Sequence, residues 1–593
     1  MAALKDRLDD DLRADGLASD ANTMVSKTEN DAEKTDIDAE NTDLEAEKTD
    51  VDADSSSGNG GAVAPEDTLA PSDYPEGLQF FFILIALIFS IFMVALDMTI
   101  VATAIPKITD QFHSVSEIGW YGSAFFLTVA AFTSPWGKLF KYFPLKWTYL
   151  LSVFIFELGS LICALAPNST ALIVGRAIAG LGAAGVASGA FILIAFLAPP
   201  EKRPAYLGII GASYGISAVI GPLLGGVFTE RLTWRWCFYI NLPVGGVAAI
   251  ILVVFFRLPD HVKPAEATFR EKMLQLDPTG IVLILCAVIC YILALQWGGV
   301  SLPWNDSKVI GLFIGFVLLL IAFGVNEWWL GERAMLPPRL LKNRYIWQGM
   351  AYSFTIAGTY FLVLYYLPIY FQVIDNVSPI QSGVRNLPLI LAITLSTTVS
   401  GVGITVTGRS TPFMVVAGIL STIGVGLLYT LDIGTGSPKW IGYQVLTGLG
   451  LGLGFQVPVS AAQATLPQID IPSGSAMIIF VQTIGGAFLV SAGQSAFVAK
   501  LTEYLVQNNG AISPAKVVGT GATDIRNVFT AEELPFILRG YVKGIQTAFI
   551  VSIALAGACT LIAFAADWKK LAPAEEEGQA QSQEKGVEAK EVV

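Results

Sequence analysis

Residues 211–226 read GASYGISAVIGPLLGG, with small residues recurring at helical spacing: Gly211, Gly215, Ala218, Gly221 and Gly225. A helix face of this kind lets a neighbouring helix approach closely, which is how helices associate in lipid. Gly221-Pro222 adds a bend, because proline removes a backbone donor. A bend at a tightly packed contact reads as a pivot, with Gly226 completing the Gly-Pro-x-x-Gly-Gly pattern. Plain glycine packing is the simpler reading of the same residues.

The chain around this stretch has the composition of a polytopic membrane protein. Of 593 residues, 53% are hydrophobic and 14% charged, against about 25% charged in ordinary soluble domains. Mean hydropathy is +0.59. The net charge of −13 belongs to the tails: residues 1–78 hold 22 acids and 6 bases, and the last 22 residues carry a further −4. That leaves a body near +7, so acidity says nothing about a transport path. The first tail contains the repeat AEKTDID, AENTDLE, AEKTDVD over 32–52. Each repeat has one large apolar residue where a coiled coil needs two, so a solvated, disordered tail is expected. No apolar signal core precedes residue 79, so the first span is expected to direct its own insertion.

Several chemistries lack their residues. The five cysteines all fall in apolar stretches and read as small core residues. The histidines, His113 and His261, lie outside the apolar runs, so no metal set is expected. There is no phosphate-binding GxxxxGK[ST] and no nucleophile–base set. An ATP-driven pump, an enzyme and a nucleic-acid binder are therefore not expected, and no cofactor is.

Fourteen apolar segments are long enough to cross about 30 Å of hydrocarbon. They lie near 80–106, 118–139, 147–166, 171–196, 205–229, 236–256, 279–298, 308–330, 346–372, 386–406, 412–431, 440–465, 474–498 and 544–566. Lysine and arginine concentrate in alternate connections: Lys138, Lys141 and Lys146, then Lys202 and Arg203, then Arg257 to Lys272, Arg333 to Arg344, and Arg409. The positive-inside rule puts these links, and both termini, in the cytosol. The sequons at Asn168, Asn305 and Asn376 then fall outside, as glycosylation candidates. The outer connection 499–543 carries Thr530-Ala-Glu-Glu533, a capping box expected to start a short surface helix.

Three ionisable residues interrupt the apolar runs: Asp97, Glu157 and Arg176. A charge at a bilayer centre costs about 2.5–3.5 kcal/mol on insertion scales, so such a residue is read as functional first. Arg176 stays charged and needs a partner, which Asp97 or Glu157 offers. A structural ion pair or a helix-end anchor is the alternative for each.

These stretches resemble the major facilitator superfamily. GASYGISAVIGPLLGG is similar to its antiporter motif, and IVGRAIAGLGAAG (173–185) to its fourth-segment motif. LDMTIVATAIP (96–106) and WRWCFYINLPVGG (234–246) resemble the fourteen-helix drug:proton antiporter branch, and KVVGTGATDIRNVF (516–529) fungal toxin and multidrug efflux members. One loop departs from the pattern. In GKLFKYFPLKW (137–147), Gly137, Leu139 and Lys146 match, but Lys141 stands where aspartate is usual and Pro144 where glycine is. The cytoplasmic latch made by that aspartate is not carried over.

The resemblance implies an all-α membrane fold of two six-helix bundles, residues 79–256 and 345–566, flanked by tails 1–78 and 567–593. An inserted helix pair, 257–344, would lie between the bundles. It implies a proton-driven exporter of hydrophobic small molecules, such as a fungal metabolite, toxin or drug, in the plasma membrane, with the vacuolar membrane second and a monomer as default. Asp97 would carry the proton, with Arg176 and Glu157 coupled to it. The substrate would lie between the bundles against Phe125, Phe126, Tyr214, Tyr360, Tyr365, Gln456 and Gln482, aromatics and amides suited to bulky apolar ligands. The alternatives are a proton-coupled carrier of basic amino acids or siderophores, or a transporter-like nutrient sensor.

Overall fold

A computed structural model describes residues 75, 77–112, 118–257, 264–299, 302–508, 512–520 and 525–571. The acidic repeat and most of the last tail lie outside these residues. Among the described residues the chain is helical, apart from one isolated bridge between Gly298 and Leu302.

The first six long helices are α1 (Gly77–Phe112), α2 (Ile118–Tyr142), α3 (Leu145–Leu165), α4 (Ser169–Leu197), α5 (Arg203–Arg231) and α6 (Asn241–Phe255). Two follow as a hairpin, α7 (Pro278–Trp297) and α8 (Ser307–Leu330). The last six are α9 (Arg344–Ile369), α10 (Leu387–Thr407), α11 (Thr411–Tyr429), α12 (Ser437–Phe455), α13 (Ile471–Asn508) and α14 (Leu534–Phe564). Among the described residues, twelve helical stretches are long and apolar enough to cross a membrane. α2 and α5 are equally long but carry more small and polar residues.

Packing repeats between the first six and last six helices. α3 lies on α4, α2 on α4, α1 on α5 and on α6; in the same order α11 lies on α12, α10 on α12, α9 on α13 and on α14. The two sets meet through corresponding helices, α5 on α10 and α2 on α13. α7 and α8 pack chiefly on each other, with α7 touching α2 and α13. Most of α8 is turned outward, with Trp328 and Trp329 exposed. Apolar side chains exposed all along a helix are what lipid accommodates.

Several boundaries differ from the hydropathy reading. The sixth segment is a short helix, Trp236–Tyr239, then α6. Pro243 has no N–H to offer the turn before it. The twelfth stops at Phe455 and resumes as Val457–Thr465, with Pro458 in its first turn. The long outer connection is largely helix: α13 continues to Asn508, and α14 begins at Leu534. The capping box therefore does not start a separate surface helix. Thr530 N donates to Glu533 Oε2 at 2.9 Å, and Glu533 is the N-cap of α14. Hydropathy stops where a helix leaves the apolar layer, but backbone hydrogen bonding continues. Ile512, Val517, Ile525 and Phe529 from the connection join the core of the last six helices.

Candidate functional site

Asp97 on α1 and Arg176 on α4 are charges buried in the first six helices, 0% and 1% exposed. They are ion-paired, Arg176 Nη1 donating to Asp97 Oδ2. Arg176 Nε donates to the Tyr121 carbonyl at 2.9 Å. The guanidinium lies 4.3 Å from the Phe125 ring centroid and 5.8 Å from that of Phe238. Asn241 Nδ2 bridges Asp97 Oδ1 at 3.3 Å and Ser160 Oγ at 3.1 Å. Five helices and the Trp236–Tyr239 turn thus converge on this ion pair. Donors on both oxygens and a cation beside them offset the cost of burying the carboxylate.

α1 is also tied to the helix of the small-residue motif. Thr99 Oγ1 donates to the Ser217 carbonyl at 3.2 Å, and Ser217 Oγ to the Phe92 carbonyl at 3.0 Å. A Cβ on Gly221 would fall 2.0 Å from Thr99 Oγ1. Gly211 and Gly215 meet the other half instead: a Cβ would fall 2.9 Å from Gln456 Cγ at the first and 2.4 Å from Thr394 Oγ1 at the second. Gly226 approaches Ile380 more loosely, at 3.6 Å. Gly225 accepts a hydrogen bond from Thr229 through its carbonyl. α5 stays helical through Pro222. The motif therefore holds two contacts, one within the first half and one between halves.

The two halves close on each other at the end that carries most of the lysines and arginines, called here the basic end. Lys141, at the end of α2, meets Asp470, just before α13, at 3.0 Å. Arg339 grips the same carboxylate with two nitrogens, at 2.8 and 2.9 Å, and meets Glu332 at 3.2 Å. These bonds hold the Arg339 guanidinium above its ordinary pKa. Lys138 donates to the Glu332 carbonyl at 2.8 Å and Gln275 Oε1 at 3.3 Å. Gly137 sits where a Cβ would fall 2.3 Å from Ala476 Cβ. Gln463 Nε2 donates to the Phe191 carbonyl and Arg203 Nη1 to the Gln463 carbonyl, at 2.9 and 3.1 Å. Leu139 packs on the core of this end, and Lys146 Nζ bonds the Val253 carbonyl at 2.8 Å. The acid missing from the 137–147 loop is thus supplied by Asp470 of the other half.

The remaining expected residues divide. Tyr360, Gln456 and Gln482 gather about Phe455: its ring centroid is 4.9 Å from that of Tyr360, and its carbonyl accepts from Gln482 Nε2 at 3.0 Å. Phe126 and Tyr214 are half-buried in the first half. Phe125 is fully buried beneath Arg176. Tyr365 is 54% exposed and does not join the others. Glu157 makes no bond to Arg176; neither of its oxygens has a hydrogen-bond partner among the described residues. Asn305 and Asn376 are exposed, as is Asn168, whose side chain caps α4 by accepting from Ala171 N at 2.9 Å. Asn241, Ser160, Thr394, Phe455 and Asp470 carry no sequence signal that marks them for these contacts. Asn241 falls within a stretch that carries the family resemblance, and the partners of Asp470 lie more than 100 residues away in the chain.

The model of the Major Facilitator Superfamily matches residues 87–490. The chain belongs to that superfamily. The MFS-type transporter grgE of a Penicillium species is 49% identical over 510 residues, covering 86% of this chain and 90% of the relative. The probable efflux pump gsfJ of Penicillium aethiopicum is 47% identical over 503 residues, 85% and 90% of the two chains. The solved proton:xylose symporter XylE shares the fold at 12% identity and TM-score 0.55, covering 84% of this chain and 98% of its own. This chain is accordingly a multi-pass membrane transporter of the major facilitator fold, rather than an enzyme, and takes a small-molecule substrate.

Proposed function

We propose that this transporter exports hydrophobic small molecules, driven by protons that Asp97 carries. The observation that carries the reading is the buried Asp97–Arg176 pair. A carboxyl that takes a proton no longer needs the arginine, and one that loses it does. A change in their separation between two orientations of the protein therefore couples the proton to the tilt. One proton moving inward gains about 2.3 kcal/mol per 100 mV and about 1.4 kcal/mol per pH unit. At 100 mV and one unit the sum, about 3.7 kcal/mol, supports a several-hundredfold gradient of a neutral solute.

Fourteen spans with cytosolic termini, two six-helix bundles and an inserted pair form the working architecture. On that orientation the Lys141–Asp470–Arg339 cluster closes the cytoplasmic side, and the state described faces outward. The substrate lies between the halves against Tyr360, Gln456, Gln482, Phe126 and Tyr214. Few charges line that region, which favours neutral, bulky ligands. A relative named a probable efflux pump supports the outward direction, and the plasma membrane is the site. The test is a deletion strain profiled for metabolites inside and outside the cell. Export predicts a compound retained in the mutant and released again on complementation. A nutrient that fails to enter the mutant would overturn the reading.

A further inference from the structure

We propose that Glu157 is a second proton-holding carboxyl, one helical turn from Asp97 toward the basic end, and that the proton leaves Asp97 by way of it. This rests on the reading of Asp97 as proton carrier. Three helices define the position. α1 and α3 run away from the basic end and α6 runs toward it: Gln79 of α1 bonds the Phe255 carbonyl of α6 at 3.1 Å, and Lys146 of α3 the Val253 carbonyl at 2.8 Å. At the level of the ion pair stand Asp97, Ser160 and Asn241, linked through the Asn241 amide. One turn toward the basic end on the same helices stand Met93, Glu157 and Gly245. These three touch. A Cβ on Gly245 would fall 1.7 Å from Glu157 Oε1 and 2.8 Å from Met93 Sδ. Only glycine leaves the carboxyl its place.

The bonding differs sharply between the two acids. Asp97 has donors on both oxygens and a cation beside it, which suits the carboxylate. Glu157 has no donor on either oxygen among the described residues, and an ionised group left so is expensive. α6 carries no ionisable side chain between Asn241 and Phe255. On the helices packed around Glu157, Asp97 and Arg176 are the charges at the level of the ion pair; Lys107 and Asp110 of α1 lie further from the basic end, while Lys138 and Lys141 of α2 and Lys146 of its own helix lie at that end, where Lys146 bonds the Val253 carbonyl. The arrangement is therefore one carboxylate and one neutral acid, with the shared proton on the member nearer the basic end. In the transfer the O–H bond of protonated Asp97 breaks and one forms on the Glu157 carboxylate. Asp97 is left as the anion that Arg176 pairs with, and release toward the basic end returns Glu157 to its carboxylate.

The test is infrared spectroscopy of the full chain reconstituted in lipid, following the carbonyl stretch of neutral carboxylic acid against pH. Wild type minus Glu157→Gln should show the loss of one neutral carboxyl near pH 7, with helical content unchanged by circular dichroism. Gly245→Ala should shift that band by displacing the group. In Asp97→Asn the midpoint at which the Glu157 band disappears should move, because a neighbouring negative charge is removed. Arg176→Lys moves the positive charge within the same pair, so there too the midpoint should move, and it serves as the second variant if the first folds poorly. A spectrum unchanged by Glu157→Gln, or a midpoint unmoved in both pair variants, overturns the proposal. None of these readouts requires transport. Failure of the carrier reading shows separately, as uphill export surviving in Asp97→Asn.

Discussion

Arg176 and Asp97 are each buried to within 1% of completeness, so removing one strands the other. Arg176→Met should destabilise the protein by about 3–5 kcal/mol, the usual result of breaking a buried pair from one side. Asp97→Asn should cost less, because the amide oxygen still accepts from the guanidinium. The double variant Asp97→Asn/Arg176→Met should recover most of the loss in thermal unfolding, yet stay inactive. Non-recovery would mean that the surrounding bonds to Tyr121 and Asn241, rather than the pair, hold the site. Both charges were legible in the sequence because ionisable residues stand out in apolar runs. Asn241 and Ser160 were not, since an uncharged polar residue in a helix has many uses. Tyr121 contributes a backbone carbonyl, which no side-chain pattern encodes. Phe125 and Tyr365 were equal candidates by type, and only packing separates a ring beneath a guanidinium from one facing outward.

At the scale of elements, the basic-end gate depends on one acid serving two cations. Asp470→Asn weakens both the Lys141 and Arg339 contacts, and charged hydrogen bonds are worth about 1.5–3 kcal/mol each. The open-inward population should rise roughly tenfold or more, read as a longer spin-label distance between the α2–α3 loop and the start of α13. The swap Lys141→Asp with Asp470→Lys should fail to restore closure, because Arg339 would then face a lysine. Adding Arg339→Glu should restore it. Closure recovered by the double swap alone would show that Arg339 does not bear on the gate. The small-residue motif makes a second element-level claim. Gly221→Val puts methyl groups where Thr99 lies, so α5 must separate from α1. The expected result is lost transport and a drop of several degrees in unfolding temperature; wild-type behaviour would contradict the contact. The sequence disclosed the close-packing face, but not that Gly211 and Gly215 look across to α10 and Gln456 while Gly221 looks to α1. A helix with small residues on several sides does not say which neighbour is where.

For the whole molecule, hydropathy located the helices well because lipid imposes a length and an apolarity that sequence must meet. It missed the interruptions at Ile240 and Gln456, and the extensions of α13 and α14 beyond the apolar layer. The pairing of the halves was implied by family resemblance and not by composition. Sidedness gives a direct prediction. A cysteine placed at Lys342 should react with a membrane-impermeant thiol reagent only after the cell is opened, and one at Asn376 in intact cells. The reverse pattern would invert the orientation and, with it, the direction of the gate. The central claim is that Asp97 links the proton to the substrate. Its most direct test is proton movement in proteoliposomes loaded with the compound found in the deletion strain, followed with a trapped pH indicator. Wild type should move protons opposite to the substrate, while Asp97→Asn should exchange substrate without moving protons. Proton movement in Asp97→Asn equal to that of wild type would contradict the account.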